Sequence, residues 1–231
     1  MPSRQIPLSL PHRPSLGRAD FLTGTANAEA IALIDRWPDW PTAPVLLAGP
    51  VGSGKSHLVE IWRTESSAAV VRASDLVVAD VEGLIASGAV AVEDLHAGPI
   101  DEAALFHLLN VATEARAAVL MTSRVWPSAL ALELKDLLSR LRAAYRVELS
   151  EPDDDLLRRV VTKLLADRQL HVDRAVIDFI VTRMERSLGA ANLIVDRLDR
   201  DALAAGRAIT VPFAAAALRP IFEPEGESYA G

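Results

Sequence analysis

The sequence predicts an α/β fold in which a five-stranded parallel sheet flanked by helices is followed by a smaller all-helical unit. Three observations carry this prediction. Between residues 19 and 150, short apolar runs alternate with longer amphipathic stretches, the pattern of repeated strand–helix–strand units. The first of those runs leads straight into Gly49-Pro50-Val51-Gly52-Ser53-Gly54-Lys55-Ser56, which fits G-x4-G-K-[ST]. From residue 151 onward the strand pattern gives way to apolar residues at helical spacing.

Composition bounds the rest. The chain has 231 residues, 50% of them hydrophobic, so it can bury a sizeable core. It lacks a run of about 18 apolar residues, so no membrane span is expected. The opening MPSRQIPLSLPHRPSL has prolines and no apolar centre, unlike a secretory signal. Cysteine is absent, which excludes disulfides and thiolate metal sites and fits a cytoplasmic location. The net charge of −7 argues against sequence-independent DNA binding as the main activity.

Residues 1–18 read as an extended, Pro-containing arm. Within it, Gln5, Ile6, Leu8 and Leu10 form a short linear pattern of the kind that fills an apolar groove on a partner. A helix is predicted from about Asn27, with Ala28, Ile31, Ala32, Ile34 and Asp35 on its stripe, closed by Trp37-Pro38-Asp39-Trp40-Pro41. Val45 to Ala48 is the first strand, and His57 to Arg63 continue the loop as a helix. Ala69 to Ala73 is the second strand, and Ser74 to Ile85 a helical connection. Ala89 to Asp94 is the third strand, Asp101 to Arg116 a helix with Leu105, Leu108, Leu109 and Ala112 inward, and Ala118 to Thr122 the fourth strand. Leu130 to Ala144 is a helix and Tyr145 to Leu149 the fifth strand.

Glu151-Pro152-Asp153 marks a boundary with good helix-start chemistry. Helices are predicted over 153–170, 172–186 and 190–205, with a short last one to Leu218 and an acidic frayed tail from about 221. The predicted organisation is therefore an arm (1–18), a core domain (19–150), a helical domain (151–220) and a disordered tail (221–231).

The chemistry centres on the glycine-rich loop. Glycines let backbone N–H groups wrap a phosphate, and the following helix N-terminus adds partial positive charge. Gly49, Pro50, Val51, Gly52, Ser53, Gly54, Lys55, Ser56 and His57 are therefore candidates to bind a nucleoside di- or triphosphate. Lys55 would reach the β- and γ-phosphates and Ser56 would ligate Mg²⁺. Glu93 and Asp94 end an apolar strand as a Walker B pair does, with Glu93 assigned to Mg²⁺ and Asp94 to the attacking water. Thr122-Ser123-Arg124 closes the fourth strand, and Ser123 is the candidate sensor of phosphate or water there.

A P-loop domain followed by a small helical lid is the architecture of the AAA+ ATPases, and these motifs resemble the DnaA-related members of that family. Phe21-x-x-Gly24-x-x-Asn27 is similar to the segment bordering adenine, which implies a base contact for Phe21 and Leu22. Leu138-Ser139-Arg140-Leu141 is similar to the family's arginine-finger motif, so Arg140 is the expected finger, acting in trans. Leu198-Asp199-Arg200 and Arg207 to Phe213 resemble the end of the lid in the Hda-type branch, which inactivates the bacterial replication initiator DnaA. In that branch the position of Gln5 to Leu10 carries a motif that binds the DNA polymerase III β sliding clamp.

The resemblance implies ADP or ATP and Mg²⁺ as ligands, DnaA and the clamp as partners, contact with DNA only through the clamp, and nucleotide-dependent self-association as a possibility. The sequence ends without DnaA's DNA-binding domain, which implies an adaptor rather than an initiator. Two departures bear on activity. Glu93 stands where the family usually has Asp, and Gly189 stands where the lid usually offers its sensor 2 arginine. Poor intrinsic ATPase activity is the expectation. The alternative is an active AAA+ ATPase serving as helicase loader or nucleoprotein remodeller, which needs strong self-hydrolysis. For Arg140 the bland alternative is a surface residue paired with Glu133 or Asp136.

Overall fold

The computed structural model describes residues 16–40 and 44–222. A short 3-10 turn at Arg18–Asp20 leads to helix α1 (Ala28–Asp35), strand β1 (Val45–Ala48) and helix α2 (Lys55–Ser66). Strand β2 (Ala69–Arg72), helix α3 (Val81–Ile85), strand β3 (Ala89–Glu93), helix α4 (Glu102–Ala115) and strand β4 (Ala118–Ser123) follow. Helix α5 (Lys135–Ala143) and strand β5 (Tyr145–Glu148) complete the core domain. The second domain is helical throughout: α6 (Asp154–Asp167), α7 (Arg174–Val181), α8 (Leu188–Ala205) and α9 (Val211–Phe222).

All strand pairs are parallel, in the order β2-β3-β4-β1-β5. Parallel strands need covered faces, and near-continuous apolar runs supply them. Alternation along each strand divides the core in two. Leu46, Val90, Val92, Val119 and Met121 face α3, α4 and α5, whereas Val45, Leu47, Ala89, Ala91 and Leu120 face α1 and α2. On the second face Trp62 is fully buried and Trp40 stacks on it at 4.9 Å, with Trp37 packed edge-on. β1 lies between β4 and β5, so the loop that leaves its C-terminal end opens near the middle of the sheet. The lid has its own core around Leu157, Val161, Ile180, Ile194, Leu198 and Leu218.

Several boundaries differ from the sequence expectation, each for a local reason. α1 buries Ala30, Ile31, Leu33 and Ile34, while Ala28, Ala32 and Asp35 face solvent. Alanine carries too little apolar weight to fix the phase of a two-turn helix. The connection at 74–85 is broken into two 3-10 turns, Ala73–Asp75 and Val78–Asp80, and the five-residue α3. α5 starts at Lys135 rather than Leu130, because the Glu102 carboxylate accepts the N–H groups of Glu133 and Leu134 at 2.9 and 2.7 Å and holds that stretch off α4. α9 continues through Pro220 to Phe222, beyond the expected stop at Leu218, so residues 221 and 222 are helical rather than part of a frayed tail. The remaining tail residues and the pattern Gln5, Ile6, Leu8 and Leu10 lie outside the described residues.

Candidate nucleotide-binding site

The site is built where the P-loop, the segment before α1 and the lid meet. Gly52 and Gly54 take φ of +70° and +101°, values L side chains rarely adopt, and Gly54 caps α2. The loop curls around Lys55, whose Nζ donates to the Gly49 and Pro50 carbonyls at 2.7 Å each and to Ser53 Oγ at 3.3 Å. Burial pushes the Lys55 pKa down, the nearby Arg124 adds to that, and Asp94 opposes it. A buried ammonium resting on its own loop carbonyls has no ion-pair partner among the described residues, and an incoming phosphate would supply one. Val51 and Ser56 are exposed on the cleft wall.

Two adjoining cavities run along the cleft. One, of about 350 Å³, is lined by Val51, Gly52, Lys55, Ser56, Asp94 and Arg124 from the core and by Gly189 from the lid. The other, of about 220 Å³, is lined by Phe21 and Leu22 on one side and by Val160 and Leu164 of α6 on the other. Phe21 packs edge-on to the His57 ring at 5.1 Å, and His57 Nε2 lies 3.3 Å from the Gly17 carbonyl. The first cavity holds the phosphate-binding loop, and the second offers the Phe21 ring and aliphatic side chains beside the charged Asp20, Lys163, Asp167 and Arg168, so a nucleotide would lie across both.

The Phe21 segment is set by Asn27. Its Oδ1 accepts the Gly24 N–H at 2.8 Å and its Nδ2 donates to the Leu22 carbonyl at 3.1 Å, folding residues 22–27 into a tight turn. Gly24 backs onto Leu156 of the lid, where an added Cβ would come within 2.9 Å of Cδ2. The Phe-x-x-Gly-x-x-Asn spacing thus has a direct physical reading.

The two acids at the end of β3 part company. β3 ends at Glu93, half-buried, with Oε1 buried and without a partner among the described residues. Asp94 turns into the left-handed region at φ +61°, held by a hydrogen bond from its N–H to Thr122 Oγ1 at 3.0 Å, and it is Asp94 that lines the P-loop cavity. Glu93, assigned to the metal from the sequence, does not line it. Ser123 is fully buried, its Oγ accepting the Val125 N–H at 3.2 Å and its carbonyl accepting the Gly49 N–H at 3.2 Å. Its neighbour Arg124 is the residue from this strand end that reaches the cleft, a role the sequence left open. The Ser56 hydroxyl and Asp94 carboxylate, on residues that line the same cavity, are oxygen donors that fit Mg²⁺ held jointly with phosphates.

The lid seats directly on the P-loop. The Leu188 N–H donates to the Gly52 carbonyl at 2.8 Å, and Ser187 caps α8 by accepting the Ala190 N–H at 3.2 Å. Gly189 lies at this seat. Arg186, three residues earlier, is turned away and pairs with Asp154 at 2.9 Å. At the other end of the cleft, Lys163 bridges Asp20 and Asp167, both at 2.7 Å, Arg159 donates to the Thr23 carbonyl at 3.0 Å, and Thr25 bonds Asp153 at 3.1 Å.

Arg140 is apart from all of this. It stands exposed on α5 with its guanidinium 5.2 Å from the centroid of the Phe106 ring, and it forms no ion pair with Glu133 or Asp136. The contact is a cation–π one that leaves its donors facing solvent. Asn192 of α8 lines both cavities and escaped the sequence reading, because a lone polar residue on a lid helix is unremarkable until the cleft is assembled.

Fold and cleft together define a P-loop protein of the AAA+ class with a helical lid. Domain III of the Thermotoga maritima replication initiation protein DnaA superposes with a TM-score of 0.75, at 16% identity over 93% of this chain and 100% of that one. AMPPCP-bound DnaA from Aquifex aeolicus gives 0.66 at 20% identity (84% of this chain, 67% of that one), and the Thermotoga maritima RuvB branch migration motor 0.67 at 18% (84% and 67%). These likenesses concern the fold. An uncharacterized Haemophilus influenzae protein is 28% identical over 177 residues, 71% of this chain and 77% of that one. Residues 154–218 match the Hda lid domain. Residues 154–218 thus carry an Hda-type lid, and the chain as a whole has the fold of DnaA domain III.

Proposed function

We propose that this chain is a nucleotide-holding regulator of replication initiation that acts on DnaA. The observation that carries the reading is an Hda lid domain at 154–218 closed over an intact P-loop. In this reading Phe21, Leu22 and His57 border the base of ADP or ATP, the backbone of residues 49–54 and Lys55 take the phosphates, and Ser56 and Asp94 would hold Mg²⁺. When bound, Mg²⁺ would neutralise phosphate charge and orient it. The chain's own hydrolysis is weak, because Gly189 brings no cation to the phosphate end and Arg186 is engaged with Asp154.

The productive chemistry takes place in the partner. The core domain packs head-to-tail on ATP-bound DnaA, and Arg140 enters the nucleotide site at that interface. A guanidinium there stabilises charge developing in phosphoryl transfer; arginine fingers elsewhere contribute roughly 10³–10⁵ in rate. Arg140's exposure and its lack of an ion pair support this role, since it can leave Phe106 without abandoning a carboxylate. Gln5, Ile6, Leu8 and Leu10 would tether the chain to the sliding clamp, and so to DNA only indirectly.

The test is ATP hydrolysis by the cognate DnaA with DNA-loaded clamp, with and without this chain. Stimulation that is lost in Arg140→Ala and in Gln5→Ala, with nucleotide binding retained in both, is the expected result. Strong hydrolysis by this chain alone with no effect on DnaA would overturn the proposal and favour a remodelling ATPase.

A further inference from the structure

Asn192 has a hydrogen-bonding demand that nothing among the described residues meets. Its Nδ2 donates to the Leu188 carbonyl one turn earlier at 3.0 Å. Only the amide nitrogen can donate to a carbonyl, so this bond fixes the orientation of the group and turns Oδ1 away from the helix backbone. Oδ1 is buried and has no donor among the described residues. A buried acceptor without a donor is costly, and such groups in folded proteins are nearly always satisfied by protein, water or ligand.

Its place in the cleft says which donor fits. The two cavities share four lining residues: Leu16, His57, Leu188 and Asn192. These form the waist between the Phe21 cavity and the P-loop cavity. Leu16 and Leu188 bring no polar side chain, and His57 directs Nε2 at the Gly17 carbonyl. Of these four residues, Asn192 alone carries a side-chain acceptor without a donor among the described residues. A nucleotide lying across both cavities would place its base on one side, its phosphates on the other and its sugar between. Phosphates offer no proton at neutral pH, and exocyclic amines lie at the far edge of a base. The donors that a nucleotide brings to the waist are its ribose hydroxyls.

We infer that Asn192 accepts a hydrogen bond from a ribose hydroxyl and makes the site selective for ribonucleotides over deoxyribonucleotides. The inference rests on the P-loop cleft being a nucleotide site. It gives the lid a ligand contact of its own at the position where the P-loop and base-side contacts end.

The test compares ADP, 2′-deoxy-ADP and 3′-deoxy-ADP by titration calorimetry on the full chain stripped of nucleotide. Wild type should bind ADP about tenfold more tightly than at least one deoxy analogue, the one lacking the hydroxyl that meets Oδ1. Asn192→Leu, of similar volume, should weaken ADP about tenfold and bind that analogue as wild type does, so that the ratio falls to about one. Asn192→Ala serves the same purpose if the leucine variant folds poorly. Equal affinities for all three nucleotides in wild type, or an unchanged ratio in the variants, would overturn the inference while leaving the nucleotide site standing. No binding of any of the three by wild type would overturn both.

Discussion

Replacing Gly52 by alanine tests whether the lid rests on the P-loop as described. An added Cβ would lie 1.9 Å from Ser187 Oγ, 2.9 Å from Ser187 Cβ and 3.1 Å from the Gly189 nitrogen, and the residue would still need φ near +70°. A non-glycine residue in the left-handed region costs about 1 kcal/mol. Relieving the clash means moving the start of α8, which breaks the Leu188 N–H bond to the Gly52 carbonyl and disturbs the Ser187 cap, each worth about 1 kcal/mol. The total is about 3 kcal/mol, or roughly 6–12 °C in melting temperature for a chain of this size. Ser187→Gly removes both Ser187 atoms from the clash and costs only a few tenths of a kcal/mol as a cap. The double variant should therefore recover about 2 kcal/mol relative to Gly52→Ala alone. Thermal melts of the four members of the cycle, with hydrogen exchange at the Leu188 amide, read both quantities. Additive effects, or Gly52→Ala with unchanged melting and unchanged Leu188 protection, would refute the seating of α8 on the loop.

Three further outcomes are expected. Burial lowers the His57 pKa below its ordinary value near 6.5, so the unfolded chain takes up that proton first as pH falls. Wild type should consequently lose more stability than His57→Gln between about pH 7 and pH 5 in urea titrations, and identical pH slopes would contradict this. Lys163→Met should remove the ion pair that ties Asp20 to the lid and the pair with Asp167 within α6, costing about 1 kcal/mol at low salt and less at about 1 M NaCl, where the screening length is short; a salt-independent loss would point to packing instead. Gly189→Arg should fold normally, since a Cβ there meets only Ser187 Oγ at 3.4 Å and Gly52 Cα at 3.7 Å, and the new cation should raise the ratio of ATP to ADP affinity about tenfold. An unchanged ratio in the folded variant would show that the missing arginine does not explain weak hydrolysis.

What could be read from the sequence was whatever is encoded within a few residues. The strands announced themselves because parallel strands bury both faces, giving runs such as Val45 to Ala48 that contain nothing polar. The P-loop announced itself because Gly52 and Gly54 answer to positive φ within their own loop, while Gly49 answers to the Leu149 backbone that a Cβ would strike. The readings that shifted depend on partners distant in sequence. Leu130 to Leu134 looks helical until Glu102 takes its amides. Glu93 and Asp94 look like a pair until Thr122, on the neighbouring strand, holds the Asp94 amide and turns the two acids apart. Ser123 looks like the polar end of its strand until its hydroxyl is seen closing a turn on Val125, with Arg124 left facing the cleft. Asn192 gains meaning only from a waist assembled out of Leu16, His57 and Leu188, residues that no local pattern connects.

The lid's attachments also bear on which AAA+ activity the chain suits. It is fastened at both ends of the cleft. At the phosphate end, Leu188 is bonded to the backbone of Gly52; at the base end, Lys163, Arg159 and Asp153 are bonded to Asp20, Thr23 and Thr25. An ATP-driven motor needs a lid whose position differs between nucleotide states, and the usual link is a lid cation that contacts the terminal phosphate. Here the resemblance puts Gly189 at the position of that cation, and the helix start there is joined to the P-loop by a main-chain hydrogen bond that needs no nucleotide. A cleft already closed loses little further freedom on binding, which favours retention of the ligand over cycling. Lid seating and the exposed Arg140 are what the proposed function requires, in which the chain keeps its own nucleotide as a structural part and lends its reactive cation to a neighbour.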